Sequence, residues 1–224
     1  MAPAVRGDRP ERPGPGSPAN LVRALRAAGI EDERLLAAVR NTPRAAFVPP
    51  GQEAAAYHDL PVPIAHDQVT TQPSLSALMI EGLRLGGDEH VLEVGTGLGF
   101  QTALLARLAA DVVTIERWPD LARQAGHNLA GQGIGNVELR VGDGSGGVPE
   151  RAPYDAVLVS AAFPRVPAPL AGQLRAGGRL VQPIGPGGRE EVVSFRRTED
   201  GLEPWRILGP ACFVRLRGRY GFTP

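Results

Sequence analysis

The sequence predicts an α/β fold: a mostly parallel sheet with helices on both faces and an antiparallel C-terminal strand. Three observations carry this. From residue 91 onward, short apolar runs alternate with stretches of helical period, as in successive βαβ units. A glycine-rich turn, Gly95-Thr96-Gly97-Leu98-Gly99, stands between the first apolar run and the first of these helices. Finally, 224 residues with 42% hydrophobic content can bury one full core without disulfides or metals.

The elements follow in order. Residues 1–18 hold Pro3, Pro10, Pro13, Pro15 and Pro18 with little to bury and no apolar run of a secretory signal, and they read as a disordered leader. Leu21, Val22, Leu25 and Ala28 recur at helical spacing until Gly29. A second helix is expected from Asp32 to Asn41, carrying Leu35, Leu36 and Val39 and broken by Pro43. Phe47 to Pro73 is rich in Pro, His and Asp and has no period, so it reads as a long irregular segment of the kind that carries function. A third helix is expected over Ser74–Leu83. Strands are then expected at Val91–Val94, Val112–Ile115, Val137–Val141, Ala156–Val159 and Arg179–Pro183, with helices through Leu104–Leu108, Leu121–Leu129 and Ala168–Leu174. Glu191–Phe195 and Cys212–Leu216 read as a closing antiparallel pair. The implied organisation is the leader, 1–18, and one domain, 19–224. Within the domain, 19–85 supplies helices and a substrate loop, 86–190 a cofactor-binding core, and 191–224 the last strands.

Composition excludes several functions. With 24 basic and 24 acidic residues the chain is neutral, a poor match for nucleic acid or an anionic membrane, and 5% aromatics argue against a base-stacking platform. No run approaches the ~18 apolar residues of a membrane span. The single cysteine, Cys212, fits a reducing, cytoplasmic setting and excludes a multi-cysteine zinc site. In its apolar context it reads as a buried, inert thiol. His58, His90 and His127 lack companions at metal-ligand spacing, so no metal is expected. Every basic residue is Arg, which excludes Schiff-base and P-loop chemistry and is explained most simply by a genomic composition bias. The arginines on helices read as solvated surface, and Trp118 and Trp205 as packing residues, with Trp118 also placed to flank an adenine. No heptads or apolar patch stand out, and a monomer is expected.

The glycine turn admits two ligands. A dinucleotide fold uses G-x-G-x-x-G to set a pyrophosphate on a helix N-terminus. Here the spacing is Gly95, Gly97, Gly99, with Glu93 two residues earlier, which better suits a ligand with an amino-acid tail and no phosphates. S-adenosylmethionine is such a ligand. Glu116 ends the next strand about 20 residues on, where an acidic side chain accepts from ribose hydroxyls; the plain alternative is a solvated strand end. Gly142-Asp143-Gly144 follows a third strand, where Asp143 could accept from an adenine amino group, although Asp-Gly alone is a turn.

At this point the residues resemble the protein-L-isoaspartate (D-aspartate) O-methyltransferase family. The resemblance runs from about Leu21 to Leu216. It includes Asp32-Glu33-Arg34-Leu35-Leu36, Pro43-Arg44, Phe47-Val48-Pro49, Ala56-Tyr57, Leu60-Pro61, Pro63-Ile64, His66-Asp67-Gln68 and Thr70-Thr71-Gln72-Pro73. Beyond the glycine turn it continues through Gly142-Asp143-Gly144, Pro153-Tyr154-Asp155, Leu174 to Val181, Pro183-Ile184-Gly185 and Leu208-Gly209-Pro210. The glycine turn is common to many methyltransferases; Phe47 to Pro73 is the specific part.

The resemblance implies a Rossmann-like, S-adenosylmethionine-dependent methyltransferase sheet. It implies methylation of the free carboxylate of an isoaspartyl or D-aspartyl residue in damaged proteins and peptides, which begins repair through a succinimide. Cofactor-binding residues would be Glu93, Gly95, Thr96, Gly97, Gly99, Glu116, Asp143 and Gly144. The family's acceptor-side serine corresponds to Thr71, which keeps the hydroxyl and adds a methyl. His66, Gln68, Thr70 and Val214 would face the substrate, with loop shaping and turn chemistry as the plain reading of His66 and Gln68. A carboxylate is ionised at neutral pH and needs no general base, in keeping with the lack of a Ser-His-Asp or Cys-His pattern. The alternatives are a dedicated biosynthetic peptide acceptor, a small-molecule or nucleic-acid methyltransferase, and a non-catalytic binding module.

Overall fold

A computed structural model describes residues 16–223; of the expected leader, residues 1–15 lie outside it. Helices α1 (Pro18–Ala27), α2 (Glu33–Arg40) and α3 (Pro73–Leu83) come first. Asp32 caps α2, its side chain accepting from the backbone N–H of Arg34 and Leu35. Between α2 and α3 lies the segment without a sequence period. It contains two 3₁₀ turns, Arg44–Phe47 and Ala55–Tyr57, and a short antiparallel hairpin of β1 (Val62–Pro63) and β2 (Val69–Thr70). The hairpin is a departure from the irregular run expected here. Its strands are too short to show alternation, and its turn residues, His66 and Asp67, adopt positive φ without a glycine.

The core is a seven-stranded sheet in the order β5-β4-β3-β6-β7-β8-β9. Its strands are β3 (His90–Val94), β4 (Asp111–Glu116), β5 (Val137–Val141), β6 (Tyr154–Val159), β7 (Leu174–Ile184), β8 (Glu190–Arg197) and β9 (Leu202–Ala211). β3 to β7 pair in parallel, and β8 runs antiparallel to both its neighbours. Helices α4 (Phe100–Leu108), α5 (Pro119–Gly131) and α6 (Ala168–Gly172) connect the parallel strands. Alternate strand residues serve opposite faces. Val91, Val112, Ala156, Leu158 and Val181 meet α1 to α4 on one face; Leu92, Val94, Val113, Val157, Val159 and Leu180 meet α6 and Leu216 on the other.

The closing strand pair differs from the expectation. β9 covers Leu202–Ala211, while Cys212–Leu216 forms no strand; its backbone makes an isolated bridge from Arg215 to Ala162, and Phe213 N–H donates to Glu190 on β8. β9 is an edge strand interrupted by Pro204, Gly209 and Pro210, so its sequence lacks a strand period. Cys212 is exposed, not buried, because it lies just past the sheet edge. Trp205 is likewise 47% exposed on β9, with the Arg84 guanidinium over its ring. Among the described residues no helix is long and apolar enough to cross a membrane, and no group of three or more His, Cys, Asp or Glu could hold a metal ion.

The sheet order reverses at β3. The chain moves from β3 to β4 and β5 on one side, then returns to place β6 on the other. Crevices that bind ligands in such sheets open at the carboxyl ends of the strands flanking this switch.

Candidate active site

Four segments meet at that edge. Gly95, Gly97 and Gly99 follow β3 with φ of 96°, 57° and 94°, a turn that a Cβ would strain at every second residue. The turn delivers the chain into α4. Glu116, at the end of β4, is buried and faces it: Oε2 accepts from the Gly97 N–H at 2.9 Å and Oε1 from the Trp118 N–H at 3.1 Å. Each oxygen keeps a further lone-pair site, the arrangement a vicinal diol needs. Ser160, at the end of β6, is tied back by its N–H to Val94 O at 2.8 Å. The fourth segment is the hairpin, whose Ile64, Gln68, Val69 and Thr70 cover the turn, joined by Val214 from the C-terminal tail.

These residues enclose a pocket of about 70 Å³, which also includes Thr71. Past Gln68 and Val214 it meets a second cleft of about 620 Å³ lined by His66, Arg117, Trp118, Arg215 and Arg217. On the other side lies a groove of about 350 Å³ between the start of α3 and Pro210–Val214. Val69, Thr71, Ser160 and Val214 line both the pocket and this groove.

Thus Gly95, Thr96, Gly97, Gly99, Glu116, Gln68, Thr70, Thr71 and Val214 share one cavity, and Gly144 lines an adjoining one. A Cβ on Gly144 would fall 2.6 Å from Val94 Cγ1, so the backbone there lies close against the sheet end. Three expected residues stand elsewhere. Glu93 is fully buried beneath the turn, not in the pocket. It accepts from the Thr102 hydroxyl at 2.5 Å, the Thr114 hydroxyl at 2.7 Å and the Gln101 amide at 3.1 Å. Burial pushes its carboxyl up to about 7 against the pull of these donors, with the Glu116 charge adding to the rise. Thr96 also turns inward, to Thr114 at 2.6 Å, so only its backbone can serve a ligand. Asp143 accepts from Ser145 N–H and Oγ and from Arg219 N–H, which fastens the C-terminal tail to the loop after β5. Burial works the other way, but these donors, with the Arg117 charge, hold Asp143 below the usual carboxylate range.

His66 does not line the inner pocket. Its ring stacks on Trp118 at 3.9 Å and 3°, and Nε2 meets both Asp120 oxygens at 2.9 Å, pinning the hairpin tip to the start of α5. That hydrogen bond holds Asp120 below its ordinary range.

Sequence patterns are shared more widely than this geometry. The family model for protein-L-isoaspartate(D-aspartate) O-methyltransferase matches residues 17–221. A protein-L-isoaspartate O-methyltransferase of Methanoculleus marisnigri is 49% identical over 198 residues, 88% of this chain and 90% of its own length. That of Anaeromyxobacter dehalogenans is 50% identical over 198 residues, 88% of this chain and 95% of its own. The chain belongs to the protein-L-isoaspartate(D-aspartate) O-methyltransferase family. A solved protein-L-isoaspartate O-methyltransferase shares its fold with a TM-score of 0.79 and 28% identity, over 91% of this chain and 67% of that one. A Plasmodium falciparum structure in complex with S-adenosyl-L-homocysteine matches in fold, with a TM-score of 0.76 and 19% identity over 90% and 98% of the two chains.

In this isoaspartate methyltransferase family member, two residues without an assigned role organise the segment before α3. Arg44 is fully buried and donates to Ala56 O, His58 O, Leu60 O, Thr71 O and the Thr70 hydroxyl at 2.9–3.2 Å. It lies 5.7 Å from the Phe100 ring centroid. Burial lowers its guanidinium to about 10, with the Asp59 charge opposing. Arg44 occupies the Thr70 hydroxyl, while that of Thr71 has no hydrogen-bond partner among the described residues. Asp59 accepts from Ser74 N–H at 2.8 Å and Gln72 Nε2 at 3.0 Å, fixing the entry to α3 beside Thr71. Arg44 was legible only as part of a motif, because one arginine among many carries no periodic signal.

Proposed function

We infer that this chain transfers a methyl group from S-adenosylmethionine to the free carboxylate of isoaspartyl or D-aspartyl residues in damaged proteins and peptides. The observation that carries this reading is Thr71, whose position is common to the glycine-turn pocket and the groove beside α3. A donor held on one side and an extended acceptor on the other meet at its hydroxyl.

The cofactor supplies a methyl group on a sulfonium centre. The fit is supported by the Glu116 carboxylate, oriented by two backbone N–H groups, and by the bare backbone at Gly95, Gly97 and Gly144. Glu116 holds a ribose diol. Thr71 donates to one oxygen of the acceptor carboxylate and aims the other. No side chain removes a proton, because the acceptor is ionised already. The hairpin and Val214 keep water from the reacting groups, and a dry, aligned site favours a step in which opposite charges cancel. Asp143 acts indirectly, holding the Gly144 turn and the C-terminal tail. Thr96 and Glu93 support the turn from beneath. His66 holds the hairpin closed, while Gln68 and Thr70 shape its inner wall.

The acceptors are proteins and peptides, and the neutral charge disfavours nucleic acid. The enzyme works as a monomer in the cytoplasm, a setting supported by its lone, unpaired cysteine. Matched isoaspartyl and aspartyl peptides offered with labelled S-adenosylmethionine test the reading. Transfer to the isoaspartyl member alone is expected. Cofactor binding with transfer to neither would sink the repair reading and favour a dedicated peptide acceptor.

A further inference from the structure

Gln101 is the second residue of α4 and is only 8% exposed. Its amide nitrogen is committed: Nε2 donates to Glu93 Oε1 at 3.1 Å and to Ser160 Oγ at 2.7 Å. At pH 8, above the value of about 7 at which Glu93 ionises, its carboxylate only accepts, so turning the amide over would set two oxygens against each other. The amide oxygen therefore points away from Glu93, and it is buried with no hydrogen-bond partner among the described residues. A buried acceptor left unmade is costly in a native protein unless a ligand completes it.

The location narrows what that ligand group is. Gln101 lines the inner pocket together with Gly95, Thr71 and Ser160. The buried orphan atoms of Ser17, Arg44, Trp118, Arg179 and Gln182 belong to residues outside this pocket. β4 and β6 flank β3 on opposite sides. Glu116, on the β4 side, takes the diol end of the ligand; Gln101 is anchored to Ser160 on the β6 side. The group that meets Gln101 is therefore a hydrogen-bond donor at the end remote from the ribose.

We propose that the Gln101 side-chain oxygen accepts a hydrogen bond from the α-ammonium group of the bound methyl donor, making Gln101 a specificity-determining residue for its amino-acid end. The proposal rests on the functional reading above. It gives Gln101 a role in ligand choice distinct from its role as a strut under the turn.

Calorimetric titration of the full chain with S-adenosylhomocysteine and with its desamino analogue separates the two roles. The unaltered chain should prefer the amino-bearing ligand by about 10- to 100-fold, as expected for a hydrogen bond to a charged group. Gln101→Leu should lose most of that preference, weakening S-adenosylhomocysteine while changing the desamino ligand by less than about threefold. Equal weakening of both ligands would overturn the proposal and leave Gln101 as a strut only. If the Leu variant does not fold, Gln101→Met, which keeps the side-chain length, takes the same test. Equal affinity of the unaltered chain for the two ligands also overturns the proposal. Failure of the unaltered chain to bind S-adenosylhomocysteine would overturn the functional reading first, and the proposal with it.

Discussion

Replacing Glu93 by glutamine should change how stability depends on pH. Glu93 is fully buried between β3, β4 and α4, and among the described residues no cation pairs with it. Burial carries its carboxyl from an ordinary 4.5 up to about 7. Between those values the native state holds a proton that the unfolded chain has released. The stability that protonated Glu93 contributes is therefore fully present below about pH 4.5 and is lost as pH rises through about 7. At about 1.4 kcal/mol per pH unit, the whole interval corresponds to about 3 kcal/mol as an upper figure. Glutamine has no proton to lose. The stability of the unaltered protein minus that of Glu93→Gln should thus fall by up to about 3 kcal/mol between pH 4.5 and 8. Urea unfolding at fixed ionic strength measures this difference. Glu89 and Asp143 are held below their ordinary range and act in the opposite direction, but they are common to both proteins and cancel. A difference that is flat, or that rises with pH, would refute the reasoning. Glu93 would then be ionised throughout, its three donors outweighing burial.

Thr71→Val should cut kcat/KM for an isoaspartyl peptide by about tenfold or more while S-adenosylhomocysteine affinity stays nearly constant, and Thr71→Ser should retain turnover; steady-state kinetics with calorimetry checks both. Glu116→Ala should weaken S-adenosylhomocysteine at least about tenfold, since it removes a charged acceptor and frees two backbone N–H groups; unchanged affinity would remove Glu116 from the ribose site. Arg44→Leu should destabilise by about 3 kcal/mol by stranding five acceptors, two buried and three partly buried, lowering Tm by roughly 6–12 °C in a thermal melt.

The parallel core was legible because its strands bury both faces and its helices are amphipathic, so Val91–Val94 and Leu121–Leu129 each announce one element. The glycine turn and Glu116 were legible for a related reason: backbone conformation and strand-end position restrict which residues can stand there. What escaped depends on contacts between distant residues. The hairpin has two-residue strands, and its tip is held by contacts of His66 with Trp118 and Asp120, which lie far along the sequence from it. Phe213 and Leu216 stand three apart, as residues on opposite faces of a strand would, yet Cys212–Leu216 forms no strand and the two anchor the tail to separate core clusters. Glu93 lies within a cofactor motif but works from beneath it. Nothing in the sequence alone distinguishes an acidic residue that touches a ligand from one that braces the residues that do.

The stack of His66 on Trp118 gives the molecule an optical gauge of its own. The seating of the hairpin on the start of α5 sets the distance between the two rings. Indole emission responds to an adjacent imidazole and to solvent, so the fluorescence of Trp118 tracks whether the hairpin is seated. The sequence contains one other tryptophan, Trp205, on the far sheet edge. With Trp205 replaced by Phe, a single unlabelled chromophore would report the seating of the hairpin in real time at the threshold of the site.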